Sequence, residues 1–304
     1  MEKYLNKIIE SNKELLNELE IKKINVGFTN LVYSAGNKYI IKICNNKENE
    51  NRFENEINFY LKNKNNKYIP ELCNYHISEN EKDYSYEIIE KVNGKSLYFV
   101  WHLFDDQKRK SIIKEISLMM KSFHAVKGEK YDWSLFIKEK LIKDLNNCNL
   151  NNLFNNEEKE KIEYVIEKSS KYLKSEEFGL VHSDIHFDNV LIDENNNLKL
   201  IDFETAIFAP IDYELDIFLR MCNNPLKYSS EETEKFVNEE DYKNIAIYLK
   251  EYYPEIFDFK NYEIRHLIYD LEANFRLLAR FPENIELKEI VLKIIENIYN
   301  SISK

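Results

Sequence analysis

The sequence predicts an α+β fold in two lobes: a small, mostly antiparallel β-sheet with one inserted helix, then a larger and mainly α-helical lobe. Three observations carry this reading. Short apolar runs of strand type crowd into residues 21–90, helical periods dominate from 106 to 302, and Val92-Asn93-Gly94 breaks the pattern between them. The division falls at residue 93, giving a lobe over 1–93 and a second over 94–304. With 304 residues, 43% of them apolar, the chain can bury a sizeable core.

Residues 3–20 place Tyr4, Leu5, Ile8, Ile9, Leu15, Leu16 and Leu19 at helical spacing. Strand-like runs follow at 21–26, 31–34 and 38–43, the last two joined by Ala35-Gly36-Asn37, a tight hairpin signal. An Asn-rich break at 45–51 precedes a helix over 50–63, with Phe53, Ile57, Tyr60 and Leu61 on one face. Strands at 72–77 and 84–90 complete the sheet. Helical periods then run near 106–124, 134–146, 157–174, 212–222, 239–252, 261–280 and 285–302. Residues 179–202 interrupt them with strand-like Leu180-Val181, Val190-Leu191-Ile192 and Leu198-Lys199-Leu200-Ile201, the last two separated by a turn at 193–197.

The net charge is −11, and it is uneven. Residues 1–93 hold 14 basic and 15 acidic side chains, against 29 and 39 in the remainder. Such acidity argues against a nucleic-acid-coating surface. No apolar run approaches the length of a transmembrane helix, and the N-terminal residues lack the apolar stretch of a signal peptide. Cys44, Cys73, Cys148 and Cys222 form no CxxC pair and read as thiols of a reducing compartment. The expectation is a cytoplasmic protein without membrane or nucleic-acid partners, a monomer in preference to an oligomer.

The chemistry concentrates in Val181-His182-Ser183-Asp184-Ile185-His186-Phe187-Asp188-Asn189, followed by Ile201-Asp202-Phe203-Glu204. An Asp, an Asn five positions on, a hairpin and an Asp-Phe at a strand end form a phosphotransferase pattern. Phosphoryl transfer demands positioned charge more than covalent help. Asp184 would accept or orient the proton of an attacking hydroxyl. Asn189 and Asp202 would offer hard oxygen ligands to Mg²⁺ bridging nucleotide phosphates. Alone, Asp202 reads as a loop acid; the combination does not. A transition-metal reading of His182, Asp184 and His186 finds no further ligand group among the scattered histidines.

A kinase core also needs a strand lysine held by a helical glutamate. Lys42 in Tyr39-Ile40-Ile41-Lys42-Ile43 is that lysine, with Glu56 its best partner and Glu54 second. Gly27-Phe28-Thr29-Asn30 stands where a glycine-rich loop is expected. Gly27 permits close approach to phosphate, and Thr29 and Asn30 can donate hydrogen bonds.

Over residues 20–280 these motifs, together with Glu87–Gly94 and Ser122-Phe123-His124, resemble the aminoglycoside phosphotransferase and choline kinase superfamily, the small-molecule branch of the protein-kinase-like fold. The resemblance implies ATP or GTP as phosphoryl donor, hung on the connector near Glu90 and Val92. Two positions depart from the usual pattern: Ser183 replaces a glycine, and Phe187-Asp188 replace a common Pro-Gly. Only Thr205–Pro210 separates Asp202-Phe203-Glu204 from the next helix, which leaves no room for a peptide-docking segment. Glu204, Asp212, Glu214 and Asp216 cluster after the catalytic segment with no basic residue between 203 and 219, and Asp270 and Glu272 follow on a later helix. A carboxylate-lined site suits a cationic acceptor, with an aminoglycoside as the leading reading. Choline, ethanolamine, an amino alcohol or a sugar is the alternative within the fold, and a nucleotide-binding pseudokinase the alternative outside catalysis. Some of these acids are expected to cap helices instead.

Overall fold

In the computed structural model, which describes residues 2–24, 30–44, 46–78, 84–175 and 177–303, the alternating runs pair into a five-stranded antiparallel sheet. Its strands are β1 (Ile21–Ile24), β2 (Asn30–Ala35), β3 (Tyr39–Cys44), β4 (Leu72–His76) and β5 (Tyr86–Glu90), in the order β1-β2-β3-β5-β4. The β2–β3 hairpin turns at Gly36, whose φ of 55° suits a residue without a Cβ. Before the sheet, the helix expected over 3–20 is broken into α1 (Glu2–Ser11) and α2 (Lys13–Leu16). The break is at Asn12, whose side chain turns inward and donates to the Ile8 carbonyl and the Tyr86 hydroxyl, bonds that compete with helix propagation. Helix α3 (Glu50–Lys62) is inserted between β3 and β4 and buries Phe53, Glu56, Ile57, Phe59 and Tyr60.

Beyond the connector, β6 (Lys95–Ser96) and α4 (Leu97–Val100) lead into α5 (Asp106–His124), α6 (Trp133–Leu150) and α7 (Asn156–Ser169). Each long helix starts where the side chain of Asp105, Asp132 or Asn155 accepts an exposed first-turn N–H. Next come β7 (Phe178–Val181), β8 (Val190–Ile192), β9 (Leu198–Leu200) and β10 (Ile207–Pro210). The β8–β9 hairpin is as expected, extended on its β8 side by β6. Strand β10 was not expected; it pairs antiparallel with β7 from Ile207↔Val181 to Pro210↔Phe178. Its shortness and its terminal proline concealed it.

The chain closes with α8 (Leu215–Asn223), α9 (Pro225–Tyr228), α10 (Ile245–Tyr252), α11 (Tyr262–Arg280) and α12 (Ile285–Ile302). The stretches 212–222 and 239–252, expected as single helices, instead begin with 3-10 turns at Ile211–Glu214 and Glu239–Tyr242.

One buried cluster runs from α3 and α5 through the β8–β9 hairpin to α8 and α10, so a single core backs both the inserted helix and the catalytic segment. Phe203 belongs to it and stacks on Phe59 of α3, ring centroids 4.0 Å apart. A second cluster joins α6, α7, α11 and α12. Strand β7 lies against the end of α5, where a Cβ on Gly179 would come within 2.5 Å of the His124 carbonyl oxygen. Among the described residues no helix is long and apolar enough to cross a membrane.

Candidate active site

Strand β3 carries Lys42 to a position where its Nζ lies 2.6 Å from Glu56 Oε1 of α3. The same oxygen accepts the Phe203 N–H at 3.3 Å, so Glu56 ties strand, helix and the segment after β9 together. Burial by itself would lower the Lys42 pKa, but the charges of Glu56, Glu87 and Asp202 outweigh it and raise it. Lys42 is therefore a permanent cation. Glu87, which the sequence reading did not single out, stands opposite Lys42 in the β3–β5 register, 3.7 Å from Nζ. Its signal was there: an acid inside an otherwise apolar strand, facing the one lysine of β3.

The loop that carries Asp184 is braced from below. His182 donates from Nε2 to the Ile201 carbonyl (3.0 Å) and accepts the Asp184 N–H at Nδ1 (3.2 Å), which fixes the orientation of its ring. Asn189 donates from its amide to the Asp184 carbonyl at 2.9 Å, using its nitrogen on the loop and leaving the amide oxygen as its ligand atom. His186 Nε2 lies 3.8 Å from Asp184 Oδ1. Ser183, the residue in place of the usual glycine, has a φ of 60°. That left-handed backbone is held by the Ser183 hydroxyl donating to the Thr205 carbonyl (2.6 Å) and the Ser183 N–H donating to Glu214 Oε1 (3.0 Å). Ser183→Gly should therefore change stability by no more than about 1 kcal/mol, since relief of the strained φ offsets the lost hydrogen bond. Ser183→Val forces a β-branched residue into the same backbone and should cost about 1–3 kcal/mol. Thermal unfolding of the two variants checks both values.

Asp202 also sits in left-handed backbone, φ 67°, at the turn out of β9. One carboxylate oxygen each of Glu56, Asp202 and Glu204 converge within 4.8 Å of one another. The Asn30 side chain donates to Glu204, and the Asn55 side chain of α3 donates to the carbonyls of Glu204 and Ala206. A cavity of about 360 Å³ opens here, between the sheet and the β8–β9 hairpin. Of the nucleotide and metal residues expected from sequence, Asn30, Lys42, Glu90, Val92, Asn189 and Asp202 all line it, and so does Glu204. Apart from Lys91, its remaining walls are apolar, with Ile24, Val32 and Ile40 on the sheet side and Leu191 and Ile201 on the other. Gly27 and Thr29 lie outside the described residues.

The acids expected to bind the acceptor divide. Asp212 is fully buried in a two-bond ion pair with Arg265, at 2.6 and 2.7 Å. Glu214, also fully buried, accepts the N–H groups of His182 (2.8 Å) and Ser183 (3.0 Å) and faces His124 at 3.4 Å. Burial pushes the Glu214 carboxyl up, but His124 and His182 more than offset this and hold it below its usual range. Glu272 is buried between Lys140 (3.0 Å) and the Tyr213 hydroxyl (3.3 Å). The carboxylates of Asp212 and Glu214 are thus engaged by Arg265 and by backbone amides, and Glu272 lies beside Lys140 and Tyr213.

Asp216, also buried, pairs with Arg220 at 2.5 Å, and Asp270, half-buried, accepts from Asn274 at 2.7 Å. Burial raises the Tyr228 hydroxyl, with the charges of Asp216, Asp270 and Asp184 adding to the rise and that of Arg220 opposing it.

Comparison with known proteins adds to this geometry. Residues 20–237 match the family model described as the phosphotransferase enzyme family. The fold is similar to the ADP-bound crystal structure of aminoglycoside phosphotransferase APH(2'')-Ib, with a TM-score of 0.65 and 18% identity over 97% of this chain and 96% of that one. It is equally similar to the streptomycin–ATP–APH(2")-IIa ternary complex, TM-score 0.66, 15% identity, 97% and 95% covered. Among curated proteins, a hormonally up-regulated neu tumor-associated kinase homolog of Xenopus tropicalis is 47% identical over 47 residues, which is 16% of this chain and 7% of that kinase. The human kinase is 38% identical over 69 residues, 23% of this chain and 10% of its own length. The chain thus spans only a small part of these curated relatives.

Proposed function

Because this chain belongs to the phosphotransferase enzyme family, we propose that it moves the γ-phosphate of ATP or GTP onto a hydroxyl of a cationic small molecule, with an aminoglycoside as the leading acceptor. The observation that carries the reading is the convergence of Lys42, Asn189 and Asp202 on one cavity, with the Asp184 loop folded around Asn189. The apolar walls suit a flat base, and Glu90 and Val92 present the connector backbone to its edge. Residues 1–93 would supply most donor contacts and 94–304 the catalytic loop and acceptor contacts.

Lys42, fixed by Glu56, would hold the donor phosphates. Asp184 would take or orient the proton of the acceptor hydroxyl as its oxygen bonds to the γ-phosphorus and the bond to the leaving diphosphate breaks. Oxygen donors of Asn189 and Asp202 fit Mg²⁺, whose charge would neutralise and align the phosphates when bound. Asp216 and Asp270 would meet an acceptor ammonium group.

The test is donor-diphosphate release with ATP and with GTP against aminoglycosides, choline and sugars. Stimulation by aminoglycosides supports the reading, stimulation by choline or a sugar alone moves the acceptor, and none with any acceptor overturns transfer. A pH dependence follows as well. Burial pushes the Asp216 carboxyl up to about 6 against the pull of Arg220. Above that pH the carboxylate is charged, so the KM for a cationic acceptor should rise as pH falls through about 6. In Asp216→Asn that rise should be lost.

A further inference from the structure

We propose that Glu87 is a positioning residue for donor binding: from behind Lys42, outside the cavity, it fixes the ammonium group where the nucleotide phosphates must meet it. The inference rests on the donor reading above and adds to it a residue that never touches the nucleotide.

Glu87 is fully buried, and neither carboxyl oxygen receives a hydrogen bond. The cation beside it is Lys42, 3.7 Å away and directly across the ladder, so both side chains leave the sheet on one face. Lys42 lines the cavity, whereas Glu87 is not among its lining residues. The ammonium thus donates to Glu56 on the α3 side and lies beside Glu87 on the β5 side, while Lys42 itself lines the cavity.

The surroundings make this arrangement costly. Glu87 is faced by Lys42 from β3, Glu56 and Tyr60 from α3, and Asp202 and Glu204 from the segment after β9. Its ladder partner on the other side, Tyr75 of β4, is exposed. Burial and the neighbouring charge of Glu56 push the Glu87 carboxyl well above its usual range, against the pull of Lys42. A buried carboxyl without a hydrogen-bond donor weakens a fold, and an apolar side chain of the same volume would serve stability as well or better. The position gives up stability next to the cavity lysine that is paired with Glu56. Packing alone gives no reason for that.

The test uses the full-length chain, wild type and the variants Glu87→Met and Glu87→Gln. Three quantities are read: calorimetric binding of Mg-ATP and Mg-GTP, steady-state KM and kcat, and thermal unfolding. Glu87→Met should leave the unfolding midpoint unchanged or raised while weakening nucleotide binding and raising the nucleotide KM about tenfold, with kcat less affected. Glu87→Gln keeps a carbonyl oxygen in place and should restore binding to within about threefold of wild type. Nucleotide affinity in Glu87→Met equal to wild type overturns the proposal, as does a Glu87→Gln variant as impaired as Glu87→Met. Should Glu87→Met not fold, Glu87→Asp carries the test: its shorter side chain must weaken nucleotide binding, and wild-type affinity there overturns the proposal. The two readings fail differently. A wild-type chain that binds neither nucleotide overturns the donor reading and this one with it; a wild type that binds, matched by Glu87→Met, overturns this one alone.

Discussion

Asp184→Asn should lower kcat about 10³-fold while nucleotide affinity stays within about threefold of wild type. The substitution keeps the shape of the side chain and removes only its ability to take a proton. The loop should survive it, because its conformation is fixed through other groups: the Asp184 carbonyl accepts from Asn189 and the Asp184 N–H donates to His182, both backbone contacts. Lys42, Asn189 and Asp202 are left in place, so the cavity keeps its charge pattern. Coupled diphosphate release gives the rate and calorimetry the affinity. A variant with near-wild-type turnover would take Asp184 out of the chemistry; one that also loses nucleotide would make it a structural residue.

Arg265→Met should destabilise the protein by about 3–5 kcal/mol, the largest effect expected of any substitution away from the catalytic loop. Arg265 is fully buried on α11. It donates twice to Asp212, and also to the carbonyls of Tyr172 (3.0 Å) and Lys174 (3.3 Å) and to the Tyr269 hydroxyl (3.0 Å). Removing it leaves the Asp212 charge uncompensated in the interior and orphans two carbonyls. The double variant Asp212→Leu with Arg265→Met should recover much of the loss, because the cost lies in the unpaired partner more than in the missing pair. Chemical denaturation of the singles and the double closes the cycle. The same experiment separates Asp212 from the acceptor acids: if it touched substrate, the double variant would recover stability without recovering the acceptor KM.

The candidate site was legible because phosphoryl transfer constrains spacing. Asp184, Asn189 and Asp202 are tied by a short hairpin whose length the sequence displays, and Lys42 with Glu56 by strand and helix periods. The cavity joins Lys42, Asn189 and Asp202 across 160 residues of chain. The acids after Asp202 were harder, since a run of carboxylates does not disclose its partners. The cation of Asp212 is 53 residues away, and Glu214 meets backbone amides that any sequence would provide. Glu87 escaped for the reverse reason: strand alternation marks a face as buried but does not say that a lysine waits across the ladder. Strand β10 escaped because its four residues carry too little alternation to announce a partner, and β7 supplies that partner only in three dimensions.

Asn55 has a further consequence. Its side chain binds α3 to the backbone of residues 204 and 206, while one turn of the same helix offers Glu56 to both Lys42 and the Phe203 N–H. Swinging the helix outward would break all these contacts together and unstack Phe59 from Phe203. The Lys42–Glu56 pair is therefore set in place by the same contacts that dock α3 on the segment after β9, the kind of preorganised charge a phosphoryl-transfer site needs.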